Sequence, residues 1–238
     1  FIFLSSQNFD LHPMSDLELA THAAHEAGKL LRKHFGGDKV VDEASDHDIK
    51  LALDKESQDL ITTILLGARE GDALYGEEGI AGNQDSSRQW IVDPIDGTRS
   101  FIRNIPISLS SAEKGGPAML DGRPISVSPR DTLCESILYV GCGKDEAALR
   151  TGVDRFHKAS LRARKMRMMG SAALGMAYIA SGRIDGYVES RISLWDIAAG
   201  QLLVETAGGK VELTPVAGYE DAYSIVATNG KIPIEEIL

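Results

Sequence analysis

Trp90-Ile91-Val92-Asp93-Pro94-Ile95-Asp96-Gly97-Thr98 is the stretch on which the reading of this chain turns. Trp90 to Val92 is an apolar run of the length of a short buried strand. It ends on Asp93, and a second carboxylate, Asp96, follows three residues later. Pro94 stiffens the turn between them and has no N–H to leave unpaired. Gly97 and Thr98 then offer unhindered backbone N–H groups and a hydroxyl at an expected helix start, where oriented N–H groups bind phosphate. Two hard carboxylates beside such a cradle point to Mg²⁺ and a phosphate ester. The plainer alternative is a strand followed by an Asp-rich turn, since Asp, Pro and Gly favour turns for local reasons.

The 238 residues fit one large domain or two modest ones. A formal net charge of −10 argues against a nucleic-acid partner. Cys134 and Cys142 form neither a metal pattern nor a disulfide framework, which fits a reducing cytoplasm. No apolar run approaches the roughly 18 residues of a membrane helix. Phe1 to Leu4 is too short for a signal peptide. Met14 directly precedes a helix start, so residues 1–13 read as a tag or extension. The expected halves are 14–128, with most metal ligands, and 129–238, with Asp196 and the substrate contacts.

Outward from the central stretch, Ser15-x-x-Glu18 is a capping box. Leu17, Ala20, Ala24, Ala27, Leu31 and Phe35 follow it at helical spacing. His22 and His25 lie one turn apart on that helix and read as a solvated face. Asp48 to Asp54 is an extended piece ending on a carboxylate. Asp54 either caps the next helix, whose apolar face is Leu60, Ile61, Ile64, Leu65 and Ala68, or serves the site. Leu74-Tyr75-Gly76 is a strand running into Glu77-Glu78, either solvated or metal-binding.

In the second half, Ile137 to Val140 is a buried strand and Gly141 to Lys144 a strand-ending turn. Arg162, Arg164, Lys165 and Arg167 form a basic cluster on a solvated or interface strand. Gly170-Ser171 opens a helix, and Ile184 to Glu189 is a strand ending on a carboxylate. Asp196 is placed to N-cap a helix through Thr206, terminated by Gly208-Gly209. Val211–Leu213 and Ser224–Ala227 are further strands. Alternating strands and helices argue for a layered α/β protein.

Asp54, Glu77, Asp93 with Asp96, and Asp196 thus stand at element ends in chain order. With Gly76-Glu77-Glu78, Asp93-Pro-Ile-Asp-Gly-Thr98 and Trp195-Asp-Ile-Ala-Ala-Gly200 in this order, the chain resembles the inositol monophosphatase family of lithium-sensitive, metal-dependent phosphomonoesterases. The resemblance runs from about Asp16 to Leu213. It implies a layered αβαβα sandwich and a homodimer, beside the cytoplasmic location without membrane or nucleic acid that the composition suggests. Glu77, Asp93, the Ile95 carbonyl, Asp96 and Asp196 would hold two or three Mg²⁺ ions, with Li⁺ and Ca²⁺ inhibitory. Asp54 and Thr98, with Glu77, would be catalytic. Asp96, Gly97, Thr98 and Asp196 would contact the phosphate, and Gly170, Ser171, Ala172 and Glu189 the alcohol side. The chemistry fits: a metal site lowers the pKa of bound water and stabilises a poor leaving oxygen.

Glu189 favours an inositol or similar polyol monophosphate, because a carboxylate accepts hydrogen bonds from vicinal hydroxyls. Alternatives of the same class are 3′-phosphoadenosine 5′-phosphate, fructose 1,6-bisphosphate and histidinol phosphate. A second alternative is a non-catalytic binding or regulatory protein. It draws on a departure from the family: roughly two dozen residues, two or three strands, are lacking near Ala112. Loss of interior strands would orphan backbone groups at about 1–3 kcal/mol each. That cost favours residues omitted from the sequence over true loss.

Overall fold

The computed structural model describes residues 2–5, 14–34, 41–44, 49–96, 110–143 and 145–238. The chain divides into two compact units, Phe1–Pro106 and Ile107–Leu238.

The first unit contains β1 (Ile2–Ser5), α1 (Asp16–His34), a hairpin of β2 (Val41–Ala44) and β3 (Ile49–Leu51), α2 (Ala52–Ala68), β4 (Ala73–Gly76), β5 (Gly79–Gly82) and β6 (Gln89–Val92). Its four-stranded sheet has the order β1-β6-β4-β5. The segment set aside as an extension therefore supplies a strand, antiparallel to β6. The capping box starts α1 as expected: Ser15 N–H donates to Glu18 Oε2 at 2.8 Å, and Glu18 N–H to Ser15 Oγ at 3.2 Å. The fully buried stripe of α1 is Leu19, Ala23 and Ala27; of the expected face Ala27 is buried and Ala20 and Leu31 pack against core residues, while Leu17 and Ala24 are only half-buried. In this alanine-rich helix two faces share the 3.6-residue period, and packing against α2 selects one. Leu19, Ile61, Leu65, Leu74, Trp90 and Val92 form the core of this unit. Full burial contributes about 1.5–3 kcal/mol for each aliphatic side chain.

One end of the parallel β4–β6 pair is pinned by charge. Asp72 and Arg88 precede the two strands; Arg88 Nε donates to Asp72 Oδ1 and Trp90 Nε1 to Asp72 Oδ2, both at 2.9 Å. Arg88 and Arg69 also both reach Asp16, at 3.0 Å, tying the start of α1 to the sheet.

The second unit holds a three-stranded sheet, β7 (Ser110–Ser111), β8 (Met119–Leu120) and β9 (Arg123–Pro124). It continues with β10 (Ile137–Val140), α3 (Glu146–Ser160), β11 (Lys165–Arg167), α4 (Ala172–Ala180), β12 (Gly186–Ser193), α5 (Leu194–Thr206), β13 (Lys210–Pro215) and β14 (Ala222–Thr228). Its main sheet is mixed, in the order β11-β10-β12-β14-β13. Met176, Ile179, Tyr187, Ile197, Val204, Ile225 and Ala227 lie at the core between α4, α5 and this sheet. The basic cluster includes β11, an edge strand, in keeping with the solvated or interface reading.

Two boundaries differ from the sequence reading. The helix α2 begins at Ala52, so Asp54 lies inside its first turn rather than at the end of an extended piece. The strand β12 runs beyond Glu189 to Ser193, through a register shift between Glu189 and Ile192. The bulge lets a polar strand end continue its pairing with β14. A concealed break near Ala112 would show as a Cα–Cα step well beyond the bonded value of about 3.8 Å, but the segment where it would fall includes residues 108 and 109, outside the described residues.

Candidate active site

Strand register sets the first half of the site. In the parallel pairing of β4 with β6, Gly76 stands opposite Val92. The next residue on each strand is a carboxylate, Glu77 and Asp93. Adjacent strands lie about 4.8 Å apart, and the Glu77 N–H still donates to the Val92 carbonyl at 3.2 Å. The backbones of the two acids thus continue the strands at their carboxyl ends, where α/β sheets bind ligands, although Glu77 is not among the carboxylates that converge within 4.8 Å. The turn after β6 brings in Asp96. Asp93 and Asp96 are buried, at 1% and 6% exposure, and carboxylate oxygens of the two lie within 4.8 Å of one another. Ile95 is buried against Leu53 of α2, which anchors the turn.

The same helix presents its polar face to these turns. Asp54, Ser57 and Gln58 are buried at helical spacing. Ser57 Oγ donates to the Pro94 carbonyl at 3.4 Å. Gln58 accepts from the Glu78 N–H at 2.9 Å and donates to the Gly79 carbonyl at 3.0 Å, clamping the turn that carries Glu77. Asp54 projects from the first turn of this face. It is 2% exposed and lies within the first turn rather than at the N-cap position before Ala52. Gly97 and Thr98, with the expected phosphate cradle, lie outside the described residues.

The second unit repeats the device. In the parallel pairing of β10 with β12, Val140 stands opposite Val188, and Gly141 and Glu189 follow. The Gly141 N–H donates to the Val188 carbonyl at 2.9 Å. Glu189 is 7% exposed, and a Cβ at residue 141 would collide with its carboxylate. The Tyr187 phenol donates to Glu189 Oε2. At the opposite end of β12, Asp185 is fully buried and accepts from Arg130 Nε at 2.7 Å, as Asp72 accepts from Arg88 at the start of β4. Burial and then the Glu189 charge push the Cys142 thiol above its ordinary value of 9.0.

Gly170 has φ 69°, in the left-handed region that suits glycine. The residue after it, Ser171, is the N-cap of α4, accepting from the Leu174 N–H at 3.1 Å, and Ala172 begins the helix. Asp196 is not the N-cap of α5. Ser193 holds that position, and Asp196 is the third helical residue, its carboxylate accepting from the Ser193 N–H at 3.2 Å. The carboxylate sits within the positive end of the helix dipole. Gln58 and Tyr187 are not singled out from the sequence, and Gly141 reads there only as part of a strand-ending turn; the partners of Gln58 are some twenty residues away, and the closeness of Gly141 to Glu189 is visible only once the strands are paired.

These stations present hard oxygen donors, the set Mg²⁺ prefers. Asp93 and Asp96 are buried like charges in close approach, and a cation between them offsets their repulsion. The residues present therefore fit a divalent metal.

The profile of the inositol monophosphatase family matches residues 12–108 and 107–233. The chain belongs to the inositol monophosphatase family. Its membership extends over nearly the whole sequence. The fructose-1,6-bisphosphatase/inositol-1-monophosphatase of Thermotoga maritima is 34% identical over 254 aligned residues, covering 94% of this chain and 95% of that protein. The Nus factor SuhB of Escherichia coli is 31% identical, covering 93% of each. Among solved structures, the extragenic suppressor protein suhB of Bartonella henselae superposes with a TM-score of 0.80 at 26% identity, covering 92% of this chain and 94% of that one. The expected mixed α/β, inositol monophosphatase-type fold is thus the one its neighbours carry. The family match breaks at 107–108, beside the short segment near Ala112. The Thermotoga alignment is longer than the 238 residues of this chain, so the relative carries residues that this one lacks. Among the described residues, no helix is long and apolar enough to cross a membrane.

Proposed function

We propose that this chain hydrolyses a small phosphate monoester, with an inositol or similar polyol monophosphate as substrate and Mg²⁺ as cofactor, by direct attack of water. The observation that supports the reading is the close approach of the buried Asp93 and Asp96 carboxylates after β6, with the backbone of Glu77 continuing β4 beside them. In the proposed site Glu77, Asp93, the Ile95 carbonyl, Asp96 and Asp196 hold the metal. Bound there, Mg²⁺ supplies a more acidic water and charge compensation at the leaving oxygen. Asp54 and Thr98 orient the attacking water and take up its proton. Asp96, Gly97, Thr98 and Asp196 hold the phosphate. Gly170, Ser171 and Ala172 border the alcohol side, where Glu189 accepts hydrogen bonds from hydroxyls. We assign the enzyme to the cytoplasm as a homodimer, without nucleic acid or membrane, and expect Li⁺ and Ca²⁺ to inhibit it.

A panel of phosphate esters assayed with Mg²⁺, with and without Li⁺, tests this reading. An inositol monophosphate should have the highest kcat/KM. If 3′-phosphoadenosine 5′-phosphate ranks first, the substrate assignment is reversed. A regulatory role on the same fold is the second reading. It is favoured by the break in the family match at 107–108, beside the short segment near Ala112, and by the likeness to a Nus factor.

A further inference from the structure

Tyr187 takes no part in the reading above, yet it is built into the second unit with unusual completeness. It is fully buried, at 0% exposure. Its ring stacks on Tyr139, with centroids 4.6 Å apart and planes 17° from parallel. Its hydroxyl donates to Glu189 Oε2. A tyrosine hydroxyl in a core requires a partner, and here the partner is a nearly buried carboxylate rather than a backbone carbonyl. The surroundings of Glu189 restrict the rest of its freedom. Gly141 leaves the space that the carboxylate occupies, and Ser224 Oγ donates to the Glu189 carbonyl at 3.3 Å. The register shift of β12 against β14 begins at Glu189, and bulges of this kind re-aim side chains beside active sites. Tyr139 lies on β10, one residue before Val140, and Tyr187 lies one residue before Val188. The two rings are therefore register partners one step inside the strand ends.

We propose that Tyr187 is a positioning residue for the alcohol side of the substrate. Its phenol, held by the stack on Tyr139, fixes the orientation in which the Glu189 carboxylate meets substrate hydroxyls. This rests on the polyol reading of Glu189. The phenol serves as a fixed donor throughout the working range, because burial and then the Glu189 charge hold its pKa well above 10.0.

Three variants test the assignment: Tyr187→Phe, Glu189→Gln and the double variant, each assayed on inositol 1-phosphate and on an aryl phosphate. Phenylalanine retains the stack and removes only the hydroxyl. Tyr187→Phe should raise KM for inositol 1-phosphate about tenfold, on the scale of one lost charge-assisted hydrogen bond, with kcat falling no more than about twofold. The KM rise on the aryl ester should be several-fold smaller. Glu189→Gln should show the same selectivity, and the double variant should be no worse than Glu189→Gln alone, since the two groups act as one unit. A selective Glu189→Gln with a Tyr187→Phe that matches the wild type, or that loses both substrates equally, overturns the role of Tyr187 alone. If Glu189→Gln is itself unselective, the polyol reading fails and this role fails with it.

Discussion

The side-chain amide of Gln58 fills the space in which a side chain at residue 76 would stand: a Cβ on Gly76 would collide with the Gln58 carboxamide. From that position Gln58 clamps Glu78 and Gly79, and so sets the turn that carries Glu77. Gly76→Ala should displace the amide and break both hydrogen bonds. The expected cost is about 1–3 kcal/mol, the scale of buried polar groups losing a partner. It should be read as a lower urea midpoint at an unchanged m-value. A wild-type midpoint in this variant would show that the clamp is not rigid.

Asp93 is buried at 1% exposure, with a carboxylate oxygen within 4.8 Å of one from Asp96. Asp93→Asn removes one of two close charges while keeping the side-chain shape. It should leave the metal-free fold at least as stable as the wild type, because like-charge repulsion is relieved. It should also abolish the rise in melting temperature that Mg²⁺ produces by binding the folded state. A rise of wild-type size in Asp93→Asn would remove Asp93 from the metal site.

Asp145 caps α3, accepting from the Ala148 N–H at 2.8 Å, and this hydrogen bond, helped by Arg191, holds its carboxyl below the ordinary value of 3.8. The folded value lies below the unfolded one. The ionised cap therefore stabilises the protein in full above the ordinary value, and that contribution is lost as pH falls through the lowered one. Asn at this position keeps a neutral cap. The melting temperature of the wild type should exceed that of Asp145→Asn at pH 7, and the gap should close below about pH 4. A gap that persists into strong acid would contradict the charge-based account.

Much of this arrangement is legible in the sequence because it is local. Trp90 to Val92 reads as a strand from its apolar run, and Ser15 with Glu18 reads as a helix start from a three-residue spacing. The family motifs carry the acidic stations, and each described one sits at or beside an element end. What is hidden depends on close approach in space. The helix α3 is not foreseen because its inward residues are Ala148, Gly152 and Ala159, which give little apolar signal. Gly152 is required there by the approach of residues 141 and 142, where a Cβ would meet the Gly141 carbonyl. The cap of α5 is assigned to Asp196 rather than Ser193 because both residue types cap helices and only the backbone separates them. Gln58 and Tyr187 look like ordinary polar and core residues until the turn after β4 and the end of β12 are built around them.

The most direct measurement is the release of inorganic phosphate from inositol 1-phosphate by the purified chain across a Mg²⁺ titration, with Asp93→Asn as the matched control. Activity that is absent without metal, rises with Mg²⁺, is suppressed by Li⁺ and is missing from the control is the expected result. If the chain binds Mg²⁺ yet releases no more phosphate than Asp93→Asn from any ester in the panel, the catalytic reading is wrong and the regulatory one takes its place.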